Sequence, residues 1–254
     1  MSRLPQIDMH AHIEADIPAS DLTNLGALVF AATRSLDEAE GALRRRDAWT
    51  VWGVGCHPGL VGAQKAFETD RFASLSTSTP YVSEVGLDGK SRVPMEMQRA
   101  TFAAVLSVLQ ASPRITSIHS YAAIDDVLDC LDEWPIHGAV LHWWLGSPAQ
   151  TRRAVDRDCF FSVNAAMLRQ HNLVSRIPLD RVLPETDHPF GDRSGGDGRR
   201  PGRVGDVELA LAQIHQLTPE KIRQTTWRNL GELIRNTRCG MLLPRQARVT
   251  LAAS

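Results

Sequence analysis

The sequence predicts a TIM-type (β/α)8 barrel, and three observations predict it. Eight short apolar runs punctuate the chain. Stretches with helical spacing fill most of the intervals between them, the pattern of βαβ units around a parallel sheet. The length, 254 residues, matches the ~250 of a typical barrel of this kind. No internal repeat and no linker divides the chain, so residues 1–254 are expected to form one domain.

The strands are expected at residues 4–9, 26–32, 50–55, 81–85, 115–119, 138–142, 159–163 and 181–185. Most are rich in Val, Ile and Leu without clean alternation, as parallel strands buried on both faces require. Helices are expected at 35–46, 94–111, 123–133, 148–156, 207–216 and 219–235. Ser35 with Glu38 three residues on reads as a capping box. Pro94 suits a first helical turn, where its missing N–H costs nothing. Thr218 is placed to cap the helix that opens at Pro219. Residues 187–206 break the rhythm. They hold Gly191, Gly195, Gly196, Gly198, Gly202 and Gly205 with Arg193, Arg199, Arg200 and Arg203. That composition predicts a long loop after the eighth strand. The tail from Gly240 to Ser254 carries weak signals and is expected to pack outside the barrel or fray.

Composition excludes several classes. A net charge of −1 provides no global positive field for nucleic acid, so any phosphate must be held locally. Cys56, Cys130, Cys159 and Cys239 are far apart and form no CxxC pair. Free thiols in a reducing cytoplasm are therefore expected rather than a zinc ribbon or disulfides. No apolar run approaches the ~18 residues of a membrane span.

The candidate chemistry lies at strand ends. Asp8-Met9-His10-Ala11-His12 places two histidines at i and i+2, which share one face of a strand. Glu84 ends an apolar strand, where a buried charge needs a partner. That partner is either an arginine or a pair of metal ions bridged by the carboxylate. His119 and His142 close the fifth and sixth strands, and Asp187 follows the eighth. Singly, each could be a hydrogen-bonded structural residue or a turn cap. Together, six metal-ligand side chains gather at the carboxyl ends of strands, the face on which barrels of this kind carry their active sites. A mixture of imidazole and carboxylate suits Zn, Mn or Fe, and Mg less naturally.

The order DxHxH, Gly55-Cys56-His57-Pro58, Glu84-Val85-Gly86-Leu87-Asp88, Ile118-His119, His142 to Ser147 and Glu185-Thr186-Asp187-His188-Pro189 resembles the TatD family of metal-dependent deoxyribonucleases, within the amidohydrolase superfamily. The resemblance runs from Asp8 to about Leu233. It implies two divalent metal ions (Zn, Mn or Mg). One would be held by His10, His12, Glu84 and Asp187, the other by Glu84, His119 and His142. Glu84 would bridge, and Asp187 would orient a water and accept its proton. DNA is the implied substrate, cleaved at its phosphodiester bonds, with His57 facing the scissile phosphate or standing behind the ligands.

The chain departs from the family pattern in two places. Tyr121 stands where an IHxR pattern carries arginine. His142-Trp143-Trp144-Leu145-Gly146-Ser147 stands where relatives read HCFSGS. Trp143 and Trp144 could offer a stacking surface for a base, or at least one of them could belong to the core or the packing of the barrel mouth. Arg199, Arg200 and Arg203 could replace the missing phosphate contact or be solvated loop charges, since arginine is abundant throughout. Two other classes stay open. One is a metallohydrolase acting on a small molecule. In such relatives a lysine carbamate often bridges, but Lys65, Lys90 and Lys221 fall at no expected strand end. The other is a metal-binding, nuclease-like subunit of a larger assembly.

Overall fold

The structure, a computed structural model, describes residues 4–193 and 198–253. All eight expected strands form. They are β1 (Gln6–His12), β2 (Ala27–Ala32), β3 (Thr50–Trp52), β4 (Tyr81–Gly86), β5 (Ile115–His119), β6 (Ala139–Leu141), β7 (Phe160–Val163) and β8 (Val182–Pro184). Every pairing between neighbours is parallel, in the orders β1-β2-β3 and β4-β5-β6-β7-β8. Two seams close the ring. A bridge joins Val54 to Val82. At the other seam, His12 N–H donates to the His188 carbonyl at 2.9 Å and Asp187 N–H to the His10 carbonyl at 2.8 Å.

Between the strands lie α1 (Ala19–Thr23), α2 (Leu36–Ala42), α3 (Val61–Lys65), α4 (Thr69–Ser76), α5 (Met95–Ala111), α6 (Ile124–Glu133), α7 (Pro148–Asp156) and α8 (His171–Val174). After β8 come α9 (Gly205–His215), α10 (Pro219–Thr237) and α11 (Arg245–Ala253). The short helices α1, α3, α4 and α8 are too brief to carry a clear period. Caps decide several boundaries. Ser35 accepts from Glu38 N–H, but the Glu38 carboxylate turns to Arg34 N–H at 2.8 Å and its guanidinium, so the expected box is half made. The reciprocal box is at Ser147 and Gln150, opening α7. Thr218 caps α10 as expected, while Pro94 is the cap of α5 rather than its first turn.

Two apolar layers follow from the strand period. Ile7, Phe30, Val51, Tyr81, Ile115, Val140, Phe160 and Leu183 form an inner layer with a contribution from every strand. Val82, Ile118, Leu141, Phe161 and Val182 face outward against Phe102, Leu106, Val127, Leu128 and Leu211 of the helices. Each fully buried Leu or Phe side chain contributes ~1.5–3 kcal/mol. The tail does not fray: Leu243 and Ala247 are buried and, with Trp227, Leu230 and Leu233 of α10, pack against the inner layer. That packing leaves the opposite, carboxyl end of the barrel as the open one. Of the loop expected at 187–206, residues 194–197 lie outside the described residues. Its flanks are tied down: Gly202 N–H donates to Asp8 and Val204 is fully buried.

Candidate metal centre

The six expected ligands stand together on the carboxyl rim. β1 supplies His10 and His12, β4 supplies Glu84 and β5 ends on His119. His142 follows β6, and Asp187 follows β8. A register shift between Asp8 and Ala11 in the β1–β2 ladder accompanies the histidine pair, and another between Val82 and Val85 accompanies Glu84. Gly86 sits between Glu84 and its neighbours at φ +128°. A Cβ there would stand 2.1 Å from the His119 carbonyl oxygen, so only glycine lets β4 and β5 approach this closely.

Glu84 is buried, and among the described residues all its charged partners are histidines and no arginine reaches it. Its Oε2 lies 3.8 Å from His10 Nε2 and 3.5 Å from His12 Nε2. Asp187 Oδ1 lies 3.9 and 3.6 Å from the same two nitrogens. These separations are too long for hydrogen bonds. They are close to the roughly 3.0–3.6 Å between ligand atoms that share one cation at 2.0–2.2 Å. On the other side Glu84 Oε1 is 2.6 Å from His119 Nδ1 and 2.8 Å from His142 Nε2, and the two nitrogens are 3.2 Å apart. His10 Nε2 and Glu84 Oε2 are buried with no hydrogen-bond partner. A buried polar atom without a partner costs ~1–3 kcal/mol, so the orphaned pair fits a cation between them.

The surroundings fix the imidazoles. Tyr81 hydroxyl donates to the Met9 carbonyl at 3.0 Å, leaving its oxygen to accept from His10 Nδ1 at 3.2 Å. Ser117 Oγ lies 2.7 Å from the same nitrogen. With the proton on Nδ1, Nε2 presents a lone pair to the site. Asp88 Oδ2 stands 3.7 Å behind His119 Nε2, with Glu84 at its Nδ1. His57 is fixed in the opposite sense. Gly59 N–H donates to its Nδ1 at 2.9 Å, so the ring proton sits on Nε2, 3.4 Å from Glu84 Oε2. His57 thus offers the site a donor rather than a ligand.

Charge points the same way. Asp8, Glu84, Glu185 and Asp187 are all buried at this end of the barrel, and none is ion-paired to arginine or lysine among the described residues. Burial, then the charges of Glu185, Glu84 and Asp8, push the Asp187 carboxyl far above its ordinary range. Burial lowers His10 well below the usual imidazole value and His12 to about 4. Burial also disfavours charge on His119, but Asp88 and Glu84 outweigh it and raise it to about 9. Neutral His10 and His12 beside an acidic cage are what a divalent cation needs.

Three residues hold the rim in shape without reaching the cavity's open space. Asp8 Oδ1 accepts from Thr186 N–H at 2.8 Å. Its Oδ2 accepts from Thr186 hydroxyl and from Gly202 N–H, both at 2.7 Å. Burial raises its pKa to about 6 despite those bonds. Glu185 accepts from Ser162 hydroxyl, from Asn164 and from Trp143 N–H at 3.0 Å, and so ties β6, β7 and β8. Asn164 also caps the turn after β7. Asp8 and Glu185 were visible as motif letters, but nothing in the sequence showed what they bind.

A cavity of about 930 Å³ opens over the ligands. Its walls include His12, His57, Glu84, His119, His142 and Asp187, and beyond them Tyr121, Trp143, Leu145, Arg169, Phe190 and Arg193. The adjacent tryptophans divide the two roles the sequence left open. Trp144 is fully buried with its Nε1 on Thr151, whereas Trp143 is half-buried at φ +42° and lines the cavity. The arginines expected to contact phosphate are placed elsewhere. Arg199, Arg200 and Arg203 are exposed and line a separate recess with Glu185, Thr186 and Asp192. The backbone bond from Gly202 to Asp8 turns that segment away from the mouth. Arg169 and Arg193 are the cations at the cavity instead, and no spacing in the sequence marked them.

Comparison with known proteins shows the family. The family model of TatD-related DNases matches residues 7–235. The metal-dependent hydrolase YabD of Bacillus subtilis is 27% identical over 196 residues, covering 72% of this chain and 76% of its own. The 3'-5' ssDNA/RNA exonuclease TatD of Klebsiella pneumoniae is 28% identical over 152 residues, 56% of this chain and 57% of that one. The crystal structure of YjjV, a TatD homologue from Escherichia coli, superposes with a TM-score of 0.79 at 20% identity, covering 90% of this chain and 97% of that one.

Proposed function

The chain belongs to the family of TatD-related DNases, and from that premise we propose that it removes nucleotides from single-stranded nucleic acid with two divalent cations, the whole chain acting as one catalytic unit. It is a metal-dependent hydrolase of phosphodiester bonds. The single observation that carries the two-cation reading is the position of Glu84. One oxygen faces His10 and His12 while the other faces His119 and His142.

His10, His12, Glu84 and Asp187 would hold one ion, and Glu84, His119 and His142 the second. Zn, Mn or Mg held there would supply Lewis acidity to the phosphodiester and would acidify the attacking water. The remaining work falls to the chain. Asp187, at the cavity wall, orients the water and takes its proton. His57 Nε2–H donates toward a phosphate oxygen. Asp88 and Ser117 hold the His119 and His10 rings in register, and Asp8 and Glu185 hold the loops that carry Asp187 and Trp143. Among the described residues no lysine lines the cavity, which supports Glu84 rather than a lysine carbamate as the bridge. That the Klebsiella relative is an exonuclease of ssDNA and RNA supports a single-stranded substrate. Four free, buried cysteines support a reducing, cytoplasmic setting, and no helix among the described residues is long and apolar enough to cross a membrane.

The test is incubation of protein loaded with Mg, Mn or Zn with end-labelled single- and double-stranded DNA and with RNA. Mononucleotides released from single strands faster than from duplex are expected. Glu84→Ala should abolish release, and Asp187→Asn should reduce it at least ~100-fold, the scale of a lost general base. Undiminished turnover in either variant would remove that residue from the mechanism.

A further inference from the structure

We propose that the cavity beside the metal site holds a single-stranded end through two exposed rings, Tyr121 and Phe190, and two guanidinium groups, Arg169 and Arg193. The inference rests on the nuclease reading and specifies its substrate site.

The rings come first. Tyr121 is 53% exposed and Phe190 41% exposed, and both line the cavity. The Tyr121 backbone and the Phe190 ring are each held by a neighbour. Gly89 N–H donates to the Tyr121 carbonyl at 2.8 Å. Phe190 lies edge-on to His12 with ring centroids 5.6 Å apart. Tyr121 follows β5 and Phe190 follows β8, three strands apart around the rim, so they flank the ligands from different sides. Exposed aromatic faces at a catalytic cavity favour a flat, apolar partner with an aromatic system of its own. Bases in a duplex already have both faces stacked. Unpaired bases do not, and every base has a face to offer.

The charges complete the match. The other ionised side chains lining the cavity are acids or histidines, and its cations are Arg169 and Arg193. Neither arginine forms an ion pair among the described residues, and Arg193 lies over the Phe190 ring at 5.6 Å. Guanidinium is suited to phosphate oxygens and to stacking alike. Tyr121 occupies the place where the family pattern carries arginine. Both arginines stand on the β7–β8 side of the mouth, opposite Tyr121 on the β5 side.

The experiment uses the metal-loaded full chain and two labelled decamers, oligothymidylate and an abasic strand with the same phosphates. The readout is the concentration for half-maximal rate, which does not depend on the fraction of active protein. Wild type should half-saturate with oligothymidylate at least about fivefold below the abasic strand, the smaller end of what one stacked base contributes. Tyr121→Ala with Phe190→Ala should bring that ratio toward one, and Phe190→Tyr should keep it. Arg169→Ala with Arg193→Ala should lower the slope of log half-saturation against log salt by about 1.4, at ~0.7 per phosphate contact. Equal half-saturation for the two strands in wild type, or a ratio that survives loss of both rings, overturns the stacking site. A slope that falls instead on replacing Arg199, Arg200 and Arg203 overturns the assignment of the cations. A wild type that cleaves neither strand overturns the nuclease reading itself, and the subsite with it.

Discussion

Replacing Asp8 by asparagine tests how far the rim depends on a residue that never touches the cavity. The carboxylate accepts four hydrogen bonds: from Thr186 N–H, Thr186 hydroxyl and Gly202 N–H at 2.7–2.8 Å, and from His10 N–H at 3.4 Å. An amide keeps one acceptor and turns an NH2 toward the other side. Thr186 hydroxyl can rotate to accept from it. A backbone N–H cannot. Whichever way the amide is turned, at least one backbone donor loses its acceptor and faces another donor. A buried polar group left unsatisfied costs ~1–3 kcal/mol, and bonds to a charged acceptor sit at the upper end. The expected loss is therefore about 2–4 kcal/mol. For a chain of this length that is a fall in Tm of roughly 4–16 °C, at ~2–4 °C per kcal/mol. Thr186 precedes Asp187, whose own N–H is bonded to the His10 carbonyl, so the hydrolytic rate should fall with the stability. Calorimetry and single-strand hydrolysis on metal-loaded Asp8→Asn check both. Stability within ~0.5 kcal/mol of wild type, the range of an ordinary surface change, together with unchanged turnover, would falsify the assigned role.

Three further outcomes are expected. Chelation should remove about two ions per chain by elemental analysis and lower Tm by roughly 5–11 °C, since ligand at a hundredfold its Kd contributes ~2.7 kcal/mol; a Tm indifferent to chelator would contradict the orphaned pair at His10 and Glu84. Burial works against the Asp47 charge, but hydrogen bonds from Arg45 and Trp52 outweigh it and lower its pKa below 3.8. A carboxyl depressed in the fold stabilises above its unfolded pKa and loses that contribution as pH falls through the folded value. The gap in urea midpoint between wild type and Asp47→Asn should thus be full at pH 7 and shrink below about pH 4; a gap constant with pH refutes the pair's contribution. Burial raises all four cysteine thiols, Cys56 and Cys159 to about 12. A thiol reagent at pH 8 should leave the native protein untouched and titrate four groups once it is unfolded; rapid native labelling would contradict that burial.

The strands and most helices were legible because each is set by local chemistry. Apolar runs such as those at β2 and β7 have nowhere to go but a sheet buried on both faces, and Pro148, Pro219 and Thr218 mark helix starts without help from distant residues. The short helices α1 and α3 left no period, and α11 was missed because only Ala247 is buried on it; its packing against Trp227 and Leu230 is a matter of contact, not pattern. The capping box at Ser35 failed for a similar reason. Arg34, one residue earlier, competes for the Glu38 carboxylate.

What the sequence determined alone was the inventory: eight strands in order, and donor residues at the ends of five of them. Strand period and chain order require those ends to share a rim once the ring closes. The tertiary structure decided which atoms face one another. Glu84 pairs with five histidines and, among the described residues, no arginine, and a backbone N–H from Gly59 sets the His57 proton on the cavity side. Gly202's bond to Asp8 carries Arg199, Arg200 and Arg203 away from the mouth and leaves Arg169 and Arg193 there. The Glu84 and Gly202 contacts join residues far apart, and the Gly59 bond acts through the tautomer it imposes; composition and spacing carry no trace of either.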